Sequence, residues 1–326
     1  MLDVSEVDAI RDAARALKDA DSRLSYRLFR LAFLCRPGGP YIASNYKELK
    51  QSLGIKSFVV IGNCQAEIIA SLLREKNPTI EIDLVVVAHL YKHASDDIYK
   101  RLDLVDYIVT QNISDAFSGI STSLLESKYK DKLIKIPNVF FSDYHPDWTY
   151  LPTVGGVRCQ SPIGDYHCRT LVTSFLEGLS VDDAICRMYS PDYAVSTYAN
   201  AAQNSIEELI ERERHLDVVV SDIVWSDYLR GVCRFHTFNH PSRSLLNELV
   251  GRILDFAGLP NIEPDTQGEN LDKVVFGVSK NVIGMTDGAL LVNGAEVDIR
   301  DFSERSYATY WRNPLHLDAY RKRHWK

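Results

Sequence analysis

The feature that most constrains this chain is a regular alternation of short apolar runs and helical stretches between residues 57 and 136. Phe58-Val59-Val60-Ile61 is apolar and β-branched and ends at Gly62. Such a run reads as a strand buried on both faces. Residues 65–75 follow with Ile68, Ile69, Leu72 and Leu73 on one helical face. Ile82 to Ala88, Tyr107 to Thr110 and Leu133 to Ile136 read as three more strands. Asp96 to Leu102 and Thr122 to Tyr129 read as the helices between them. Strands joined through helices need crossovers, so the pattern predicts an α/β fold with a doubly wound, mainly parallel sheet and right-handed connections.

Both flanks differ from this middle. Val4, Val7, Ile10, Ala14 and Leu17 are spaced as on a helix, and so are Leu24, Leu28 and Leu31. Arg36-Pro37-Gly38-Gly39-Pro40 breaks the chain, and Tyr41 to Leu53 is helical again. Residues 1–54 therefore form an N-terminal helical extension that packs on the main domain or on a partner, a second copy included. Beyond Pro137, residues 138–167 are rich in aromatics, Pro, Gly, Asp and His and lack periodicity. Long ordered loops of this kind are often functional. Residues 168–257 are largely helical, with one long helix from Ile206 to Tyr228 and another from Ser242 to Phe256. Val274 to Val278 and Ala289 to Val292 read as short strands. The expected organisation is an extension (1–54), a parallel sheet core (55–150) and a mainly helical part (151–326) that completes an active-site cleft.

Composition narrows the function. The formal charge of the 326 residues is -7, and no basic stripe stands out, which excludes nucleic acid as the main partner. The amino terminus carries acids where a secretory signal needs a basic and then apolar run. No run of about 18 apolar residues occurs, so no membrane span is expected. The six cysteines, at 35, 64, 159, 168, 186 and 233, lack CxxC spacing and read as reduced thiols. Together these point to a cytoplasmic location.

Four motifs bear chemistry. In Gly62-Asn63-Cys64-Gln65 a strand turns directly into a helix, at the sheet edge where ligands of open α/β folds bind. Free backbone N–H groups at the helix start suit a phosphate or an oxyanion and are expected to lower the pKa of Cys64. Asn63 and Gln65 add side-chain donors. Asp143-Tyr144-His145-Pro146-Asp147 places an imidazole between carboxylates, as an oriented base, as a metal ligand or as turn chemistry. Gly164-Asp165-Tyr166-His167-Cys168-Arg169 echoes it, with Asp165 near a helix cap. His236-Thr237-Phe238-Asn239-His240-Pro241 has histidines four apart, but Pro241 disfavours helix at His240 and no HExxH pattern is present, so no metal is predicted.

Taken in this order and spacing, the motifs, with Tyr150, make residues 57–258 resemble the WcbI-type polysaccharide biosynthesis enzymes. Cys168 stands where Ser is expected after the His. The resemblance implies an enzyme of capsule-type polysaccharide biosynthesis that transfers acetyl from acetyl-coenzyme A to a sugar hydroxyl. Its partners would be a small-molecule acyl donor and a carbohydrate acceptor. On that reading Cys64 is at the reacting centre, with Gly62, Asn63 and Gln65 around the oxyanion. One of His145, His167 and His240 is the base, oriented by Asp143 or Asp165, with Asn239 at the pocket. Arg158 and Arg169 are candidates for the diphosphate of coenzyme A. The competing classes are a Cys-dependent carbohydrate esterase, a glycosyltransferase, and a non-catalytic sugar or nucleotide binder.

Overall fold

The computed structural model describes residues 3–91, 96–263, 268, 271–276 and 290–324. The chain divides into two compact units. The first is Met1–Asn138 with Leu216–Val218 and Asn247–Thr266, and the second is Val139–His215, Val219–Leu246 and Gln267–Lys326. Residues 1–54 fall within the first unit, and Val139 opens the second.

The first unit begins with α1 (Val4–Ala16), α2 (Ser22–Cys35) and α3 (Pro40–Ser52). A reciprocal cap starts α1: the Asp3 carboxylate accepts from Glu6 N–H at 2.9 Å, and Asp3 N–H donates to Glu6 at 2.7 Å. The apolar faces of the three helices meet around Tyr26, Phe29, Ile42, Tyr46 and Leu49. Then come β1 (Lys56–Gly62), α4 (Gln65–Lys76), β2 (Ile80–Val87), α5 (Asp96–Leu104), β3 (Tyr107–Gln111), α6 (Thr122–Tyr129) and β4 (Leu133–Ile136). All pairings are parallel, in the order β2-β1-β3-β4. Val59, Ile61 and Ile108 pack with Ile98 and Leu102 of α5 and Leu125 of α6. The order reverses at β1, so right-handed crossovers put α4 on the opposite face. The α/β doubly wound reading holds.

Both edges of the sheet are covered, as exposed edges must be to avoid pairing with other chains. On the β2 side Arg23 donates to the Pro78 carbonyl at 2.8 Å, Arg27 pairs with Glu81 at 3.0 Å, and Arg30 pairs with Asp83. These three arginines lie on α2, so the extension packs against the sheet. On the β4 side Lys135 N–H donates to the Asp217 carboxylate at 2.7 Å, and the Lys135 carbonyl accepts from Asp217 N–H at 3.0 Å.

The second unit contains β5 (Trp148–Tyr150), β6 (Tyr166–Cys168), α7 (Arg169–Leu176), α8 (Val181–Met188), α9 (Pro191–Tyr198), α10 (Ala201–Glu213), α11 (Ser221–Leu229), β7 (Phe235–Thr237) and β8 (His240–Pro241). The helix α12 (Arg243–Phe256) follows and belongs to the first unit from Asn247 on; β9 (Val274–Val275), β10 (Leu291–Val292), β11 (Ala295–Glu296), α13 (Ile299–Arg312) and α14 (Pro314–His324) complete the second. Its core gathers Tyr166, Leu171, Phe238, Phe276, Phe302 and Tyr310. Residues 277–278 and 289 of the two expected late strands lie outside the described residues.

One expected element is corrected. Ile206 to Tyr228 is not one helix but α10 and α11, separated by residues 214–220. The backbone of Asp217 and Val218 leaves helical pairing to bond the Lys135 carbonyl. The break is closed by Glu213, buried at 4 % exposure, which accepts from Val220 N–H at 2.8 Å and Ser221 N–H at 3.1 Å. Replacing Glu213 by Ala would leave two amides at the start of α11 without this acceptor. Urea unfolding should show a loss of about 1–3 kcal/mol; an unchanged midpoint would show that the amides find other partners.

Candidate functional site

The sequence feature with the most chemistry, the turn after β1, sits at the point where the strand order reverses. Ligands of doubly wound sheets bind at this place, between the carboxyl ends of diverging strands. Here those strands are β1 and β3. The turn is organised by Gln111, the last residue of β3, which is 2 % exposed. Its Oε1 accepts from Asn63 N–H at 2.8 Å. Its Nε2 donates to Gln65 Oε1 at 2.9 Å and to the Pro137 carbonyl at 3.3 Å. A Cβ at position 62 would stand 2.6 Å from Gln111 Oε1, so glycine is required for this close approach.

The neighbours of Cys64 therefore have duties within the turn. The Asn63 carboxamide accepts from Gln65 N–H at 2.9 Å and donates to Asn138 at 2.7 Å. Gln65 is fully buried. Their side chains brace the turn, whereas the sequence suggested donors for a ligand. Cys64 itself occupies the N-cap of α4 and is half-buried. Its pKa is corrected too. Burial pushes the thiol up, and this outweighs the downward pull of the Cys64 and Gln65 amides. At neutral pH Cys64 is a thiol.

In the second unit the two Asp-Tyr-His motifs are joined. They lead into β5 and β6, which pair antiparallel with Trp148 opposite Cys168, Thr149 opposite His167 and Tyr150 opposite Tyr166. Asp147 locks this ribbon to α7. Its carboxylate accepts from Thr170 N–H at 2.8 Å, Thr170 Oγ1 at 2.7 Å, Tyr198 at 2.6 Å and Cys168 Sγ at 3.1 Å. Cys168, not Asp165, is the N-cap of α7, and its sulfur accepts from Leu171 N–H at 3.4 Å. The thiol thus makes both bonds that a serine hydroxyl would make there.

The three candidate imidazoles have different surroundings. His145 is 1 % exposed, with Nε2 at 3.4 Å from the Phe235 carbonyl and its ring edge against Phe276. His167 is fully buried, with Nε2 at 3.1 Å from the Cys159 carbonyl, and its Nδ1 has no partner among the described residues. His240 is partly exposed and stands beside Tyr166, whose hydroxyl lies 3.4 Å from each ring nitrogen. Asn239 Oδ1 accepts from Tyr166 at 3.0 Å and from Thr237 at 3.0 Å. Burial holds both His167 and His240 down to about 4, His240 being lowered further by His236.

The expected carboxylate partners bond elsewhere. Asp143 is held by Tyr228, and burial raises its pKa. Asp165 pairs with Arg158 and Gln160. Arg158 also lies over the Tyr150 ring, 5.5 Å from its centroid. His236 and His240 sit on the paired strands β7 and β8, not on one helix. Among the described residues no group of three His, Cys, Asp or Glu could hold a metal ion, and no helix is long and apolar enough to cross a membrane. Gln111 and Asn138 escaped the sequence reading, and Thr237 was named there without a role. The one available signal was Gln111, a polar residue closing the otherwise apolar strand of Ile108 and Val109.

Residues 57–261 match the model of the WcbI polysaccharide biosynthesis enzymes. The chain belongs to that family. A solved structure of WcbI, described as a novel polysaccharide biosynthesis enzyme, superposes with a TM-score of 0.70 at 16 % identity. The match covers 82 % of this chain and 94 % of that WcbI. That structure is described as the native protein without a disulfide bond between coenzyme A and one of its cysteines. No curated protein matches the chain. The family match includes the β1 turn, the β5–β6 ribbon and the β7–β8 hairpin, and begins after the three N-terminal helices.

Two predictions follow from these surroundings. Iodoacetamide should alkylate Cys64 with a pH inflection above that of an ordinary cysteine, read by peptide mass spectrometry; an inflection below pH 8 would contradict the dominance of burial. A histidine whose folded pKa is depressed contributes stability above its unfolded value of about 6.5, and this is lost as pH falls toward about 4. The melting temperature should therefore drop from pH 7 to pH 5 more steeply in the wild type than in His167→Gln. Equal slopes would show that His167 is not held neutral.

Proposed function

We propose that this member of the WcbI family transfers an acetyl group from acetyl-coenzyme A to a sugar hydroxyl. The observation that carries the reading is Cys64, half-buried at the N-cap of α4 where the strand order reverses. Its position suits a thioester sulfur brought to the edge of the sheet. The description of the related WcbI, which names coenzyme A together with a cysteine, supports the same pairing here.

In this reading Cys64 receives the sulfur end of the carrier as a neutral thiol. Of the three imidazoles of the second unit His240 is the candidate base, because it is partly exposed while His145 and His167 are sealed. Burial holds it down to about 4, so it is unprotonated across the physiological range and acts as a weak base. The sugar oxygen attacks the thioester carbonyl, its proton passes to a general base, and the carbon–sulfur bond breaks. The proton then returns to the departing thiolate of coenzyme A. Tyr166 stands against the imidazole and its hydroxyl donates to Asn239, so the two act as positioning residues.

Purified protein with acetyl-coenzyme A and a hexose or heptose acceptor should yield acetylated sugar and free coenzyme A, read by mass spectrometry. His240→Ala should lower the rate by about 100-fold or more. Cys64→Ala should weaken coenzyme A binding and slow turnover by about tenfold or more. Acetate released from an acetylated sugar without coenzyme A would favour an esterase. No acetylation of any acceptor, with no thermal shift from coenzyme A at millimolar concentration, would refute the reading.

A further inference from the structure

A cavity of about 440 Å³ lies wholly within the second unit and has no part in the reading above. Its walls include Arg169, Tyr320, Asn200, Asn204 and Glu208, and they are mainly polar. The volume falls in the range of small-molecule sites, about 300–1,000 Å³.

One of the lining groups is incompletely satisfied. Arg169 is half-buried, and its Nε donates to the Trp148 carbonyl at 3.3 Å. Its two terminal nitrogens have no hydrogen bond or ion pair among the described residues. Asp147, the nearest acid along the chain, is taken up by Thr170, Tyr198 and Cys168. A guanidinium placed this way lacks the oxyanion that it binds best, a phosphate or a carboxylate. Tyr320 is only 4 % exposed and lines the same cavity, which brings a phenol hydroxyl to the wall that holds Arg169. On other walls Asn200, Asn204 and Glu208 offer carboxamide and carboxylate groups that suit hydroxyls. Glu208 is already balanced by Arg212 at 3.7 Å, so it does not cancel the charge of Arg169.

We infer that this cavity binds a phosphorylated sugar, with the phosphate on Arg169 and Tyr320 and the sugar hydroxyls on Asn200, Asn204 and Glu208. Such a group has two sources, a phosphate-bearing acceptor sugar or the phosphorylated ribose of coenzyme A. Only the naming of these sources rests on the acetyl-transfer reading. The site itself is tested by binding and not by turnover.

The experiment is calorimetric titration of the full chain with a hexose 6-phosphate, the unphosphorylated hexose and adenosine 3′,5′-bisphosphate. At least one phosphorylated probe should bind, and the plain hexose should bind at least about tenfold more weakly. Arg169→Gln should weaken the phosphorylated probe by about tenfold or more, in keeping with the loss of a charge-assisted bidentate contact. Asn204→Asp, at an exposed position, adds a repelling charge and should weaken it also, which keeps the test valid if Arg169→Gln does not fold. Loss confined to the hexose phosphate assigns the cavity to the acceptor, and loss confined to the bisphosphate assigns it to the carrier. If neither phosphorylated probe binds, or if both bind the folded variants as tightly as the wild type, the proposal is wrong.

Discussion

The arrangement around Cys64 depends on one buried carboxamide. Gln111 closes β3 and reaches across to β1, where it takes the Asn63 amide and holds the Gln65 side chain. A buried amide left without partners costs about 1–3 kcal/mol, so each member of this set stabilises the others. The absence of a side chain at Gly62 is what lets the two strand ends come so close. The turn is thereby set before any ligand arrives, and Cys64 is carried to the N-cap of α4 by neighbours that are themselves fully engaged.

The second unit uses the same device on a smaller scale. Asp147 collects three hydroxyl or thiol donors and one amide, and so ties a two-stranded ribbon to the start of α7. Placing His145 before one strand and His167 within the other, the ribbon encloses both rings against backbone carbonyls. His240, on a separate hairpin and still partly open, is left as the imidazole with access. Burial thus sorts three histidines that look equivalent in the sequence.

Much of the fold was legible because its strands are short, apolar and β-branched, and its helices are amphipathic. Thr122 to Tyr129 and Leu133 to Ile136 were read with their observed bounds. The split between α10 and α11 was hidden, since Asp217 leaves the helix for a tertiary bond to Lys135, more than 80 positions away in the chain. The same limit applies at the site. Gly62, Cys64 and the echoing Asp-Tyr-His motifs announce themselves locally. Gln111 acts across 48 positions, and nothing near it in the sequence points to Asn63. The direction of the Cys64 shift was misread for a related reason: a helix start is a local feature, whereas burial is a property of the folded unit.

The central claim is that the sulfur of Cys64 meets the sulfur of coenzyme A. Incubation of the native protein with the symmetrical disulfide of coenzyme A, followed by peptide mass spectrometry, tests it most directly. Exchange would release one coenzyme A thiol and leave the other half on the protein. The account predicts that Cys64 carries this adduct ahead of the exposed Cys35 and Cys186. An adduct on those two thiols with Cys64 untouched would contradict it.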